Sequence, residues 1–153
     1  MRNPSDAPNS NYTRSEPRYD ASLPFRASLN IPGEGSEQPR SITLTGYTSN
    51  ISEHGLAVVG PFIRLGYRYL IGKGNTLDIT LQMPRGAVKI KAAPVHFREL
   101  PPGGEGEGYI LTGAIVEEMS AEINCLIGLQ ITEMSDEDRA RYITYVRAVA
   151  GEQ

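Results

Sequence analysis

The chain has 153 residues, 39% of them apolar, with a formal net charge of −3 and a pI near 5.4. That length suits one domain with its own core, and sixteen glycines and eleven prolines suit short strands joined by turns better than a helical bundle. The acidic balance argues against gripping polymeric nucleic acid through bulk charge. The single Cys125 allows no internal disulfide, and no apolar run approaches the roughly 18 residues that would span a bilayer.

Residues 1–13 are polar, lack any periodicity and show no apolar signal-peptide stretch, so a mobile tail and a cytoplasmic protein are expected. From Leu23, the alternation of Phe25, Ala27, Leu29 and Ile31 with polar residues predicts a half-buried strand, ended by a flexible turn over 32–36. Ile42, Leu44 and Gly46-Tyr47 predict a second strand that runs into a turn beginning at Asn50. Leu56–Val59 resumes extended structure until Gly60-Pro61. The stretch 62–75 is ambiguous apart from a hairpin turn at 72–75. Leu77, Ile79, Leu81 and Met83 alternate, as do Val88, Ile90 and Ala92, and Pro94 marks an edge or a bulge before Val95 and Phe97. A loop over 101–108 precedes two further strands, 109–116 and 126–132, with similar closing phrases that are too few to make a repeat architecture.

The period then changes. Ser135 is a good N-cap, Asp136, Glu137 and Asp138 place negative charge in a first helical turn, and Tyr142, Val146 and Val149 share one face. Arg147 is expected near the helix C-terminus. The expected fold class is mainly β: many short antiparallel strands closed by one C-terminal helix.

Catalytic and metal signatures are weak. His54 and His96 lie on different elements without Cys or His at ligand spacing, and no phosphate loop, dinucleotide fingerprint or nucleophile elbow occurs. Glu117, Glu118, Glu122 and Glu133 read as solvated glutamates rather than an acid–base pair. His54 lies two positions from Ser52 with no third group in view, which supports a structural or ligand-adjacent role.

Two local features remain. In Arg14-Ser15-Glu16-Pro17-Arg18, Pro17 disfavours helical geometry at Glu16, so both arginines sit on an irregular arm. Guanidinium can meet phosphate oxygens, stack on a purine or bind the O6/N7 edge of guanine. In Asn50-Ile51-Ser52-Glu53-His54-Gly55, the Asn and Ser side chains can fix a turn or bond a ligand, and Gly55 permits a positive φ or a close backbone approach.

In this order and spacing, an Arg-x-x-x-Arg arm about thirty residues before an Asn-x-Ser-x-x-Gly turn resembles the PilZ family, bacterial receptors for cyclic di-GMP. The ending Ile127-Gly-Leu-Gln-Ile-Thr-Glu-Met-Ser-Asp-Glu-Asp-Arg139 is similar to that family's strand-to-helix close. The resemblance implies a small six-stranded antiparallel β-barrel with a C-terminal α-helix. The chain would be divided into a flexible tail 1–11 and a PilZ domain 12–150, made of an arginine arm 12–20, a barrel 21–134 and a helix 135–150. It also implies that Arg14 and Arg18 clasp guanine and phosphate, and that Asn50, Ser52 and Gly55 complete the pocket, with no cofactor besides the ligand and no metal. Asn50 replaces a frequent Asp, whose carboxylate takes two hydrogen bonds from guanine N1 and N2. The segment 109–125 is longer than a minimal PilZ domain needs.

Three readings follow. In the first, the chain is a non-enzymatic cyclic di-GMP receptor that signals to a separate effector protein when the arm orders. In the second, it is a PilZ-like interaction module that does not bind the nucleotide and uses the 101–108 loop and the 109–125 segment. The third, an enzyme, lacks a convergent set of catalytic groups.

Overall fold

The computed structural model describes residues 16–31, 40–61, 64–65, 68–69, 76–101, 110–113 and 124–152. Among the described residues, ten strands precede one helix: β1 (Tyr19–Asp20), β2 (Pro24–Ile31), β3 (Arg40–Ile51), β4 (Gly55–Pro61), β5 (Arg64–Leu65), β6 (Arg68–Tyr69), β7 (Leu77–Met83), β8 (Gly86–Glu99), β9 (Ile110–Gly113), β10 (Asn124–Glu133) and α1 (Asp136–Glu152). Arg14, the N-terminal tail, the turns expected at 32–36 and 72–75, residues 102–108 of the expected loop, and Glu117, Glu118 and Glu122 lie outside the described residues.

Period-2 alternation decides which faces turn inward. In β7, Leu77, Ile79, Leu81 and Met83 are buried while Asp78, Thr80 and Gln82 face solvent, and Phe25, Ala27 and Leu29 do the same in β2. Antiparallel pairing runs β3-β2-β7-β8-β10-β4 and closes through β3–β4, a six-stranded barrel as the resemblance implied. Closure leaves no open edge in this ring, and the inward faces form one core.

The long β3 serves two levels. Its first half pairs β2 and, on the other edge, the outside strand β9. Its last residues pair β4 and β1 instead. The switch includes a bulge: Thr48 pairs Val58, yet Asn50 pairs Ala57, so Ser49 is an extra residue. The bulge reverses the alternation, which is why Thr48 and Ile51, three positions apart, are both buried. A second bulge occurs at Val95, where Gly128 pairs His96 and Leu129 pairs Pro94, in line with the irregularity expected at Pro94.

The helix begins as expected. Ser135 Oγ accepts the Asp138 N–H at 3.1 Å, and Tyr142, Val146 and Val149 enter the core. The expectation for Arg147 is corrected, because α1 continues to Glu152 and its last turn holds no basic residue. Arg147 instead reaches Glu53 Oε2 at 3.4 Å from an exposed position.

Candidate functional site

The β3–β4 connection is Ser52-Glu53-His54, and the Ser52 N–H closes it by donating to the Gly55 carbonyl at 2.9 Å. The turn proper therefore starts after Asn50, which is still paired within β3, with Asp20 on one side and Ala57 on the other. On the barrel side, the His54 carbonyl accepts the Ile131 N–H at 2.9 Å, tying the turn to β10.

From α1, the fully buried Tyr142 aims its hydroxyl at the Ser52 and Gly55 carbonyls, 2.8 and 2.9 Å away. Burial, with the charge of Glu16 nearby, pushes this phenol far above its ordinary range, so it stays protonated and donates. A phenol on an otherwise apolar helix face needs such a partner, and that is the one signal in the sequence that could have linked the helix to the turn.

Gly55 is needed for close approach rather than for an unusual φ. Its φ is not left-handed, whereas a Cβ there would lie 2.6 Å from the Leu129 carbonyl oxygen. The bulge at Ser49 re-aims the residues beside it, and Asn50 Oδ1 is left buried with no hydrogen-bond partner among the described residues. Buried polar atoms are paired in the great majority of cases, so this acceptor stands out.

The arm is brought to this turn by Thr48. Its buried hydroxyl accepts the Leu23 N–H at 2.9 Å and donates to the Ala21 carbonyl, while its own N–H donates to the Leu23 carbonyl at 2.9 Å. Tyr19 and Asp20 then pair with Ile51 and Asn50, so the exposed Arg18 emerges where β3 ends. Of the sequence-predicted site residues, Arg18, Asn50, Ser52 and Gly55 thus share one end of the barrel, and Arg14 lies outside the described residues.

Glu16 supplies a group that sequence reasoning missed. Its Oε1 accepts the Ser52 hydroxyl at 2.8 Å and the His54 N–H at 3.1 Å, and its Oε2 takes His54 Nδ1 at 2.6 Å. Burial favours the neutral acid, but hydrogen bonds from the His54 ring, Ser52 and the His54 N–H outweigh it and hold the carboxyl below its ordinary value. His54 therefore does have a third group beside it, contrary to the sequence expectation. Ser52 and His54 meet at the Glu16 carboxylate rather than at each other. Among the described residues, no cluster of His, Cys, Asp and Glu could hold a metal, and no helix is long and apolar enough to cross a membrane.

A family model described as "PilZ domain" matches residues 12–148. No curated protein matches the chain. Among solved structures, the chain is similar to the PilZ domain of YcgR from Escherichia coli with c-di-GMP (14% identity, TM-score 0.54, covering 91% of this chain and 92% of that one). It is also similar to the K. pneumoniae MrkH–c-di-GMP complex (14%, TM-score 0.57, covering 92% and 52%). A third likeness is the Bacillus subtilis inhibitor of motility MotI/DgrA (16%, TM-score 0.56, covering 92% and 53%). The chain thus spans about half the length of the MotI and MrkH chains.

Proposed function

The chain belongs to the PilZ family, and on that premise we propose that it is a bacterial, cytoplasmic receptor for cyclic di-GMP rather than an enzyme. The observation that carries this reading is the convergence at one barrel end of an exposed Arg18, Asn50 Oδ1, which has no partner among the described residues, and the donors of Ser52 and His54. A cyclic dinucleotide needs that mixture. Guanidinium takes phosphate oxygens and the O6/N7 edge of guanine, an amide oxygen accepts from guanine N1–H or N2–H, and hydroxyl and amide donors take oxygens. Two relatives in fold, YcgR and MrkH, are described with this ligand, which supports the same class here.

Arg14 and Arg18 would clasp the nucleotide across the turn, and Asn50, Ser52 and Gly55 would form its floor. The repositioned arm would be read by a separate effector protein. Calorimetric titration of cyclic di-GMP into wild type, Arg14→Ala and Arg18→Ala tests this. Binding by wild type and its loss in both variants is expected. No heat with wild type, or equal binding by all three, overturns the reading.

One observation favours the alternative of an interaction module indifferent to the nucleotide. Ile110 on the outside strand β9, 64% exposed, lies opposite Thr45, two residues from Tyr47, which is 57% exposed. A partner captured equally with and without cyclic di-GMP, and lost on Ile110→Asp, would support that alternative.

A further inference from the structure

Three donors converge on one point of the β3–β4 turn: the Ser52 hydroxyl, the His54 N–H and His54 Nδ1. Together they form a small seat for an oxyanion, and its occupant is a residue of the chain itself. Glu16 reaches it from the arm, 36 and 38 positions earlier in sequence, and satisfies all three donors with two oxygens. Its position is held from behind, because Pro17 disfavours helical geometry and β1 pairs with the end of β3 immediately after Arg18.

We propose that Glu16 is an internal anion that clasps the arm onto the turn, and that an anionic oxygen of the ligand must displace it to reach the Ser52–His54 seat. The proposal rests on the receptor reading above and deepens it by naming a regulator of the same site. Glu16 and the ligand are mutually exclusive on these donors. A hydroxyl has one proton to give, and the His54 N–H is already aligned with the carboxylate. The other charged groups beside the seat are Glu53, which follows Ser52 and points its Oε2 to Arg147, and Arg18 on the arm. The Tyr142 hydroxyl is committed to the carbonyls behind the turn. None of these supplies a fourth donor to the carboxylate among the described residues. Clasped and ligand-bound states thus compete, and the apparent affinity is the intrinsic affinity multiplied by the fraction of molecules in which the clasp is open.

The arrangement differs from an activated catalytic group in one respect that matters for the test. Removing Glu16 should not impair function at this site. It should free the donors and tighten ligand binding. A carboxylate that merely supported the binding-competent shape would do the reverse.

The experiment uses wild type, Glu16→Ala and Glu16→Gln, with two readouts. The first is the amide signal of His54 in 15N NMR of the ligand-free protein, and the second is calorimetric titration with cyclic di-GMP. Glu16→Ala should shift the His54 amide strongly and tighten nucleotide binding by about tenfold, as expected when a clasp closed roughly nine-tenths of the time is removed. Glu16→Gln, which keeps an acceptor without the charge, should fall between the two. An unmoved His54 amide in Glu16→Ala overturns the clasp whatever the nucleotide does. Binding by wild type with equal or weaker binding by Glu16→Ala overturns the competition. If the His54 amide shifts while no protein binds the nucleotide, the clasp stands and the receptor reading fails.

Discussion

Two carboxylates in this molecule have nearly the same local chemistry and opposite prospects. Asp138 in the first turn of α1 accepts the Lys89 N–H at 3.0 Å with Oδ2 and Arg141 Nη2 at 2.8 Å with Oδ1, and Arg141 also reaches the Ala87 carbonyl at 2.7 Å. Glu16 likewise collects a backbone N–H and side-chain donors. Each acid is held below its ordinary value. For Asp138, the Arg141 hydrogen bond and then the Lys89 N–H outweigh burial. For Glu16, burial is the largest influence but is outweighed by the hydrogen bonds of His54 and Ser52 together. The difference lies in what carries the carboxylate. Asp138 stands on a capped helix sewn to β8, so its bonds can only staple the fold. Glu16 stands on the arm, against donors that a ligand also wants, so its bonds can be exchanged. Similar hydrogen-bond sets thus become a staple or a clasp according to whether a ligand competes for their donors.

The largest expected effect concerns the turn that both the clasp and the ligand depend on. In Gly55→Ala the new Cβ would meet the Leu129 carbonyl at 2.6 Å, so the β4 and β10 backbones must part. A loss of about 2–3 kcal/mol by urea denaturation is expected, together with loss of cyclic di-GMP binding. A variant as stable as wild type would show that close approach is not what Gly55 provides.

Next comes Tyr142→Phe, which removes the donor for the Ser52 and Gly55 carbonyls and leaves the ring in place. It should lose about 1–2 kcal/mol in thermal unfolding and speed hydrogen exchange in the turn.

The carboxylates themselves then separate staple from clasp. Asp138→Ala should cost about 1 kcal/mol of stability and leave cyclic di-GMP affinity unchanged. Glu16→Ala should cost less stability and change affinity. Equal behaviour of the two variants in calorimetry and in urea would break the comparison.

The smallest effect is in pH dependence. Both acids have depressed folded values, so each contributes stability that is fully present above the ordinary carboxylate range. That contribution is lost as pH falls below about 4 and through the folded value. Urea midpoints measured down to about pH 2 should fall less steeply in Asp138→Ala than in wild type. An unchanged slope would show that Asp138 is not held by its partners.

The fold was readable to the extent that its signals are local. Alternation in β2, β7 and β8 follows from the opposite facing of successive strand residues, and Ser135 caps α1 through an atom three residues away. The bulge at Ser49 was not readable, although it decides where Asn50 points, because a bulge exists only relative to the partner strand. Arg147 falls short of the last turn because α1 runs past the expected end at 150, through Gly151 to Glu152.

At the candidate site, sequence alone determined the residue types and their order: an arm of arginines, a turn with amide, hydroxyl and glycine, and a phenol on a helix face. The tertiary structure decided which of these meet. Closing the barrel sets Glu16 on Ser52 and His54 across 36 and 38 positions, Tyr142 behind Ser52 across 90, and Gly55 against Leu129. The physical reason is that local propensity acts within a few residues, whereas a hydrogen bond between distant segments depends on strand register and chain closure. Glu16 therefore read in sequence as a spacer between two arginines, and only its position against the turn makes it a clasp.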